Sequence, residues 1–294
     1  MPDRPAPFLV DTHCHLDASE FDRDRDAVVR AARDGGVGRI VVPAIGVSNF
    51  ERVARLAREI DGAYALGIHP MLTPTASDGD LGTLRRAVER AIDDPRFVAI
   101  GEIGLDLFVT SLATPAAFER QTHFLDEQLR IARDFDLPVL LHVRRAQDPV
   151  LAALRRVRRT GRAGRSDAAA GTGATGIAHA FNGSRQQADH YTALGFKLGF
   201  GGASTFERAL RIRALAKDLP IEALVLETDS PDIAPAWIAA QNGHAGRNTP
   251  GELPRIAASI AALRGVAVDE LGATTTANAY AVLPRLAALV GATR

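Results

Sequence analysis

Histidines and carboxylates recur in this chain where apolar runs end. The first run closes on Asp11-Thr12-His13-Cys14-His15, and later ones on Gly101-Glu102, His142, His179 and Glu227-Thr228-Asp229. Imidazole and carboxylate together suit Zn, Mn, Fe and Co, with Mg served by the carboxylates. Residues two apart on an extended backbone project to the same side. His13 and His15 therefore point together, and Thr12 and Cys14 point the other way. A lone histidine at a strand end is more often a hydrogen-bonded structural residue than a ligand. Four histidines and two acids gathered on one rim would be very costly to bury unpaired, and a cation removes that cost. His13, His15, Glu102, His142, His179 and Asp229 are accordingly read as metal ligands. Cys14 is read as a small buried apolar side chain. His123 and His190 fall in helical patterns and are read as surface or packing residues.

The apolar runs that must position these groups are FLV (8–10), RIVVPA (39–44), AYALGI (63–68), FVAIGE (97–102), PVLLHV (138–143), TGIAHAF (175–181), FKLGFGG (196–202) and ALVLET (223–228). They are rich in Val, Ile, Leu and Phe and lack strict polar alternation, as do parallel strands buried on both faces. Between them lie amphipathic stretches such as 118–135 and 206–218. Ser48 with Glu51 and Ser184 with Gln187 read as capping boxes. Thr114-Pro115 and Asp148-Pro149 each read as a capping residue before a first-turn proline. Gly35-Gly36 and Gly195 read as left-handed helix stops. Eight strand-then-helix units predict an α/β fold, a TIM (β/α)8 barrel in a single domain spanning 1–294. A doubly wound open sheet is disfavoured because no glycine-rich phosphate loop follows the first strand. In a parallel barrel the catalytic groups sit at the carboxyl ends of the strands, where these ligand candidates fall.

The stretch 154–176 is basic and then Ala/Gly/Thr-rich, and reads as a flexible insertion centred on about 160–175. It links a helix to the next strand, so it is expected on the face opposite the catalytic one.

The 294 residues carry 46% hydrophobic and 24% charged residues, the proportions of a globular domain with a full core. One cysteine excludes an internal disulfide. No targeting segment and no membrane-length apolar stretch is recognisable, so a cytoplasmic protein with no membrane association is expected. The formal net charge is zero. Broad electrostatic binding to nucleic acid needs a basic surface, so any nucleic-acid substrate must be held locally. No protein partner is inferred.

The motifs DTHCHLD (11–17), GIHP (67–70), GEIGLD (101–106), LHVRRA (141–146), HAFNGS (179–184), ETDSP (227–231) and RNTP (247–250) closely resemble, in order, those of the TatD family of metal-dependent deoxyribonucleases, within the amidohydrolase-like barrels. The resemblance extends from residue 8 to about 283. It implies that His13, His15 and Asp229 hold one divalent cation, His142 and His179 a second, and that Glu102 bridges them. The expected cofactors are two divalent ions (Zn, Mg or Mn). His69, Arg144 and Arg247 match positions placed for a phosphate or another anionic group of the substrate. The chain departs from the family pattern where HVRRA puts Val143 after the histidine and Arg145 in place of an acid, and where no aromatic directly follows GLD.

Paired cations about 3.5–4 Å apart activate water and clamp an in-line displacement, which suits a phosphodiester. Asp229 and Glu102 are the catalytic candidates, Asp229 as the group that orients the water or accepts its proton. Glu227 shares the strand face of Asp229 and is placed to orient a ligand imidazole. The expected reaction is 3'-5' exonuclease-like cleavage of single-stranded or frayed DNA, with RNA as the other nucleic acid. The alternative is hydrolysis of an amide or aminoacyl ester. Cyclic amidases of this kind often bridge their metals with a modified lysine, whereas here Glu102 stands at that position and the only lysines are Lys197 and Lys217.

Overall fold

The computed structural model describes residues 8–160, 175–242 and 246–291. Its strands are β1 (Leu9–Asp11), β2 (Val37–Pro43), β3 (Ala63–Leu66), β4 (Phe97–Asp106), β5 (Val139–Arg144), β6 (Gly176–Ala178), β7 (Lys197–Phe200) and β8 (Leu224–Leu226). They pair in parallel, each with its neighbour in sequence, as one eight-stranded sheet. Between them lie α1 (Arg25–Asp34), α2 (Phe50–Glu59), α3 (Asp78–Ala91), α4 (Pro115–Asp134), α5 (Gln147–Thr160), α6 (Arg185–Ala193) and α7 (Leu210–Asp218). After β8 come α8 (Ala236–Asn242), α9 (Leu253–Arg264), α10 (Val268–Val282) and α11 (Pro284–Gly291). The fold is a TIM barrel.

Two apolar layers hold it. The larger packs the outward strand residues against the helices and includes Cys14, Leu16, Ile40 and Leu141. The smaller fills the barrel with Val10, Val41, Ala65, Val98, Leu140 and Val225, and is capped by Leu283 and Leu286. Arg285 fixes that cap by donating to the carbonyls of Phe97, Ile92 and Asp94 at 2.5–2.7 Å. The amino-terminal end of the barrel is thus plugged by α10 and α11, and the carboxyl end of the strands is left for the site.

The chain just after the first strand meets the last through backbone bonds and one side chain. Thr12 N donates to Leu226 O at 3.1 Å and Asp229 N to His13 O at 2.8 Å. Between these contacts the Asp11 carboxylate accepts from Thr228 N at 3.0 Å and from Thr228 Oγ at 2.6 Å.

Several local expectations hold. Thr114 caps α4 by accepting from Ala117 N at 3.3 Å, and Ser184 and Gln187 form a reciprocal box at the start of α6. Gly36 and Gly195 adopt positive φ after their helices.

Three expectations are corrected. Ser48 and Glu51 form no box, because Asn49 Oδ1 accepts from Ile45 N and Gly46 N, both at 3.2 Å, and α2 starts only at Phe50. Asp148 is not a cap: α5 begins one residue earlier, and Asp148 accepts from Gln187 Nε2 at 2.8 Å. The first part of the stretch read as an insertion, through Thr160, is helix; the rest, 161–174, lies outside the described residues. Among the described residues, no helix is long and apolar enough to cross a membrane.

Candidate metal centre

Six strand ends feed one buried cluster. β1 leads into His13 and His15, β3 into His69, β6 into His179 and β8 into Asp229, while β4 carries Glu102 and β5 carries His142. The β4 ladder continues to Asp106, four residues past Glu102, and pairs Gly104 with His142. Gly104 has φ 152°, and a Cβ there would strike the His142 carbonyl. Only glycine lets these two strands close at that point.

Glu102 lies at the centre and is 1% exposed. Its Oε2 faces His13 Nε2 at 3.2 Å and His15 Nε2 at 3.3 Å. Its Oε1 faces His142 Nδ1 at 2.9 Å, His179 Nε2 at 2.9 Å and His69 Nε2 at 3.3 Å. Asp229 Oδ1 lies 3.7 Å from both His13 and His15 Nε2. Asp229 has φ 56°, a left-handed conformation that Asp tolerates better than most residues, and it turns the chain immediately after β8.

Partners outside the cluster set ring orientations. Asp106 Oδ2 sits 3.0 Å from His142 Nε2. Its Oδ1 accepts from Phe108 N and Val109 N, which fixes the turn after β4. Glu227 Oε1 accepts from Ala180 N and lies 3.8 Å from His179 Nδ1. A Cβ on Gly199 of β7 would collide with the Glu227 carboxyl, so glycine makes that room.

Burial and mutual charge govern protonation. Burial alone raises the pKa of Glu102, but His69, His179 and His13 outweigh it and hold the carboxyl well below its usual range. His13 and His179 stack at 3.9 Å. Burial and the charge of His179 keep His13 neutral. His179 is raised to about 10 because Glu102 and Asp229 overcome its burial. Burial lifts Glu227 to about 8 and Asp11 to about 7. Asp106 is held at about 2, its burial outweighed by His142 and two backbone donors.

The donor set fits divalent cations. Ligand atoms of His13, His15 and Asp229, of His13, Glu102 and His179, and of His69, Glu102 and His142 each converge within 4.8 Å. His13 Nδ1 and His179 Nδ1 are buried without hydrogen-bond partners. Five imidazoles gathered on one carboxylate are an N/O environment that a borderline cation satisfies.

The pocket above this cluster has a volume of about 810 Å³ and is lined by His15, His69, Arg144, Asp229 and Ile233 among others. Arg144 stands on its rim. Arg247 does not: it is bound to both carboxylate oxygens of Asp24 at 2.9 and 2.6 Å and lies over Phe21. Arg247 is thus held in an ion pair with Asp24 and is not brought together with the candidate ligands. His69 sits among the candidate ligands, against Glu102 and His142, rather than apart from them. Sequence reasoning gave no role to Asp106 or Asp11; the terminal Asp of GEIGLD and the leading Asp of DTHCHLD were the available signals.

An eight-stranded barrel with such a donor set at its carboxyl rim defines the class of metal-dependent barrel hydrolases. A family model described as TatD related DNase matches residues 10–284. The chain belongs to the TatD family and is a metal-dependent hydrolase. It is 39% identical over 92% of its length to YjjV of Escherichia coli K12, described as an uncharacterized metal-dependent hydrolase, of which 96% is covered. It is 35% identical, over 92% of this chain and 96% of the relative, to the 3'-5' ssDNA/RNA exonuclease TatD of Cronobacter sakazakii. A crystal structure of YjjV superimposes with a TM-score of 0.81, covering 94% of this chain and 98% of that one. A TatD family hydrolase from Entamoeba histolytica, 19% identical, shares the fold with a TM-score of 0.77 over 95% of this chain and 99% of that one.

Proposed function

We propose that this hydrolase holds two divalent cations and cleaves phosphodiester bonds of DNA, acting at single-stranded or frayed ends in the 3'-5' direction, with RNA as a second nucleic-acid substrate. The observation that carries the reading is the division of Glu102: one oxygen faces His13 and His15, the other His142, His179 and His69. A carboxylate placed in this way suits a bridge between two cation positions. His13, His15 and Asp229 would complete the first position, and His142 and His179 the second, with His69 beside it. Zn, Mn or Mg, when bound, supplies the positive charge that activates water and offsets charge on the phosphoryl oxygens.

The chain's own residues do the rest. Asp229 lines the pocket and would take the proton of the attacking water. Arg144 presents a planar guanidinium at the rim, suited to bidentate contact with a phosphate. Ile45, Met71 and Ile233 contribute apolar walls to the pocket. A concave mouth admits a chain end more readily than a rigid duplex. The strand-end specificity also draws on the Cronobacter relative, whose name specifies single-stranded DNA and RNA.

The test is digestion of end-labelled single-stranded and blunt duplex DNA, with and without chelator, alongside elemental analysis of metal-loaded protein. Chelator-sensitive shortening of the single strand and an occupancy of two per chain are expected. An occupancy of one or fewer would overturn the two-cation reading. Efficient cutting of closed circular duplex would overturn the strand-end reading. Rapid hydrolysis of an aminoacyl ester with no DNA cleavage would replace the substrate.

A further inference from the structure

We propose that Arg145 and Phe108, packed beside Arg144, extend the phosphate contact at the pocket into a clamp for the backbone phosphates of the strand that leaves it. This inference rests on the nucleic-acid reading above. The guanidinium carbons of Arg144 and Arg145 lie over the Phe108 ring, 3.7 and 4.7 Å from its centre. Phe108 is 46% exposed. Both arginines are exposed, and among the described residues neither side chain forms an ion pair or a hydrogen bond. Arg247 shows the contrast: its guanidinium is engaged by both carboxylate oxygens of Asp24.

Two adjacent guanidinium groups repel one another. The negative face of an aromatic ring offsets part of that cost, and an anion between or beside them offsets the rest. Arg145 has φ 56°, a conformation that a long L side chain seldom adopts. The turn thus directs a second cation to the place where the first already stands. Stacking also holds both side chains in place, so less rotamer freedom is lost when a phosphate binds.

The clamp is built into the site. Leu107 N donates to Arg144 O at 2.8 Å, which joins the ends of β4 and β5. Phe108 N donates to the Asp106 carboxylate that also contacts His142. Arg144 borders the pocket, and Arg145 and Phe108 pack beside it. The ligand class is a repeating polyanion, because a single phosphate held at the metal cluster and by Arg144 does not need a further guanidinium beside it. The ring already carries the guanidiniums, so phosphates rather than stacked bases are its partners.

The variants are Arg145→Gln and Phe108→Leu, each checked for a wild-type melting temperature. The readout is the ratio of kcat/KM for single-stranded dodecathymidylate to that for bis(p-nitrophenyl) phosphate, which is too short to reach the clamp. Arg145→Gln is expected to lower the ratio roughly tenfold, carried by KM. It should also make the dependence of log KM on log salt shallower by about 0.7. Phe108→Leu should lower the ratio while keeping the salt slope. An unchanged ratio with an unchanged slope for Arg145→Gln overturns the clamp. If the wild type hydrolyses neither substrate, the proposed function fails; fluorescence anisotropy of labelled dodecathymidylate then still tests the clamp. Equal affinities for wild type and Arg145→Gln would overturn it.

Discussion

Asp106 shows how one carboxylate sets the chemistry of a neighbouring ring. Its Oδ2 faces His142 Nε2, which leaves Nδ1 directed at Glu102. With Asp106 ionised, the proton of a neutral His142 sits on Nε2 and Nδ1 offers its lone pair. Asp106→Asn keeps one acceptor for the Phe108 and Val109 amides, but can present an NH2 to Nε2 and so favour the wrong tautomer. Metal affinity or activity should fall about 10–100-fold with the fold intact. Calorimetric titration with Zn or Mn reads this, and wild-type affinity in the variant would refute it. Asp229 is expected to behave differently. Asp229→Asn removes the proton acceptor and the charge facing His13 and His15, but leaves the contacts of Glu102 with all five imidazoles in place, so turnover should drop by about 10²–10⁴, with metal largely retained. Near-normal turnover with metal bound would exclude Asp229 from proton handling.

At the scale of elements, β7 contributes space rather than a ligand. Gly199 gives up its side chain to the Glu227 carboxyl, and Glu227 in turn supports Ala180 N and stands beside His179. Gly199→Ala should cost about 1–3 kcal/mol by overpacking, read as a lower melting temperature. Combining it with Glu227→Ala should restore part of the loss, because the two changes share one space. A wild-type melting temperature for Gly199→Ala would remove the argument. The strands themselves were legible in the sequence, since all eight apolar runs became strands in the expected order. Runs of Val, Ile and Leu report burial on both faces and need no partner to be recognised. What was not legible depended on distant partners. Arg247 meets Asp24 across 223 positions, so no local pattern could show this ion pair. The Ser48 box failed because Asn49, one residue on, took two amides first. The role of Asp106 emerged only when β4 was seen to run four residues past Glu102.

For the molecule as a whole, the candidate ligands are drawn from around the rim, after β1, β3, β6 and β8 and on β4 and β5. Cations bound there cross-link the barrel and should stabilise it globally. Binding at a hundred times the dissociation constant contributes about 2.7 kcal/mol. Chelation should therefore lower the melting temperature by at least about 5 °C, and a calorimetric scan with and without chelator checks it. The seam between β1 and β8 carries one more consequence. Asp11 and Thr228 are 217 positions apart, and their meeting brings Asp229 to His13 and His15. During synthesis, the strands between them leave the ribosome first and can pair with their neighbours. The hydrolytic centre stays incomplete until the nascent chain has delivered residue 229. Closure over so long a loop is slow, so activity arrives only after the seven earlier strands have been made.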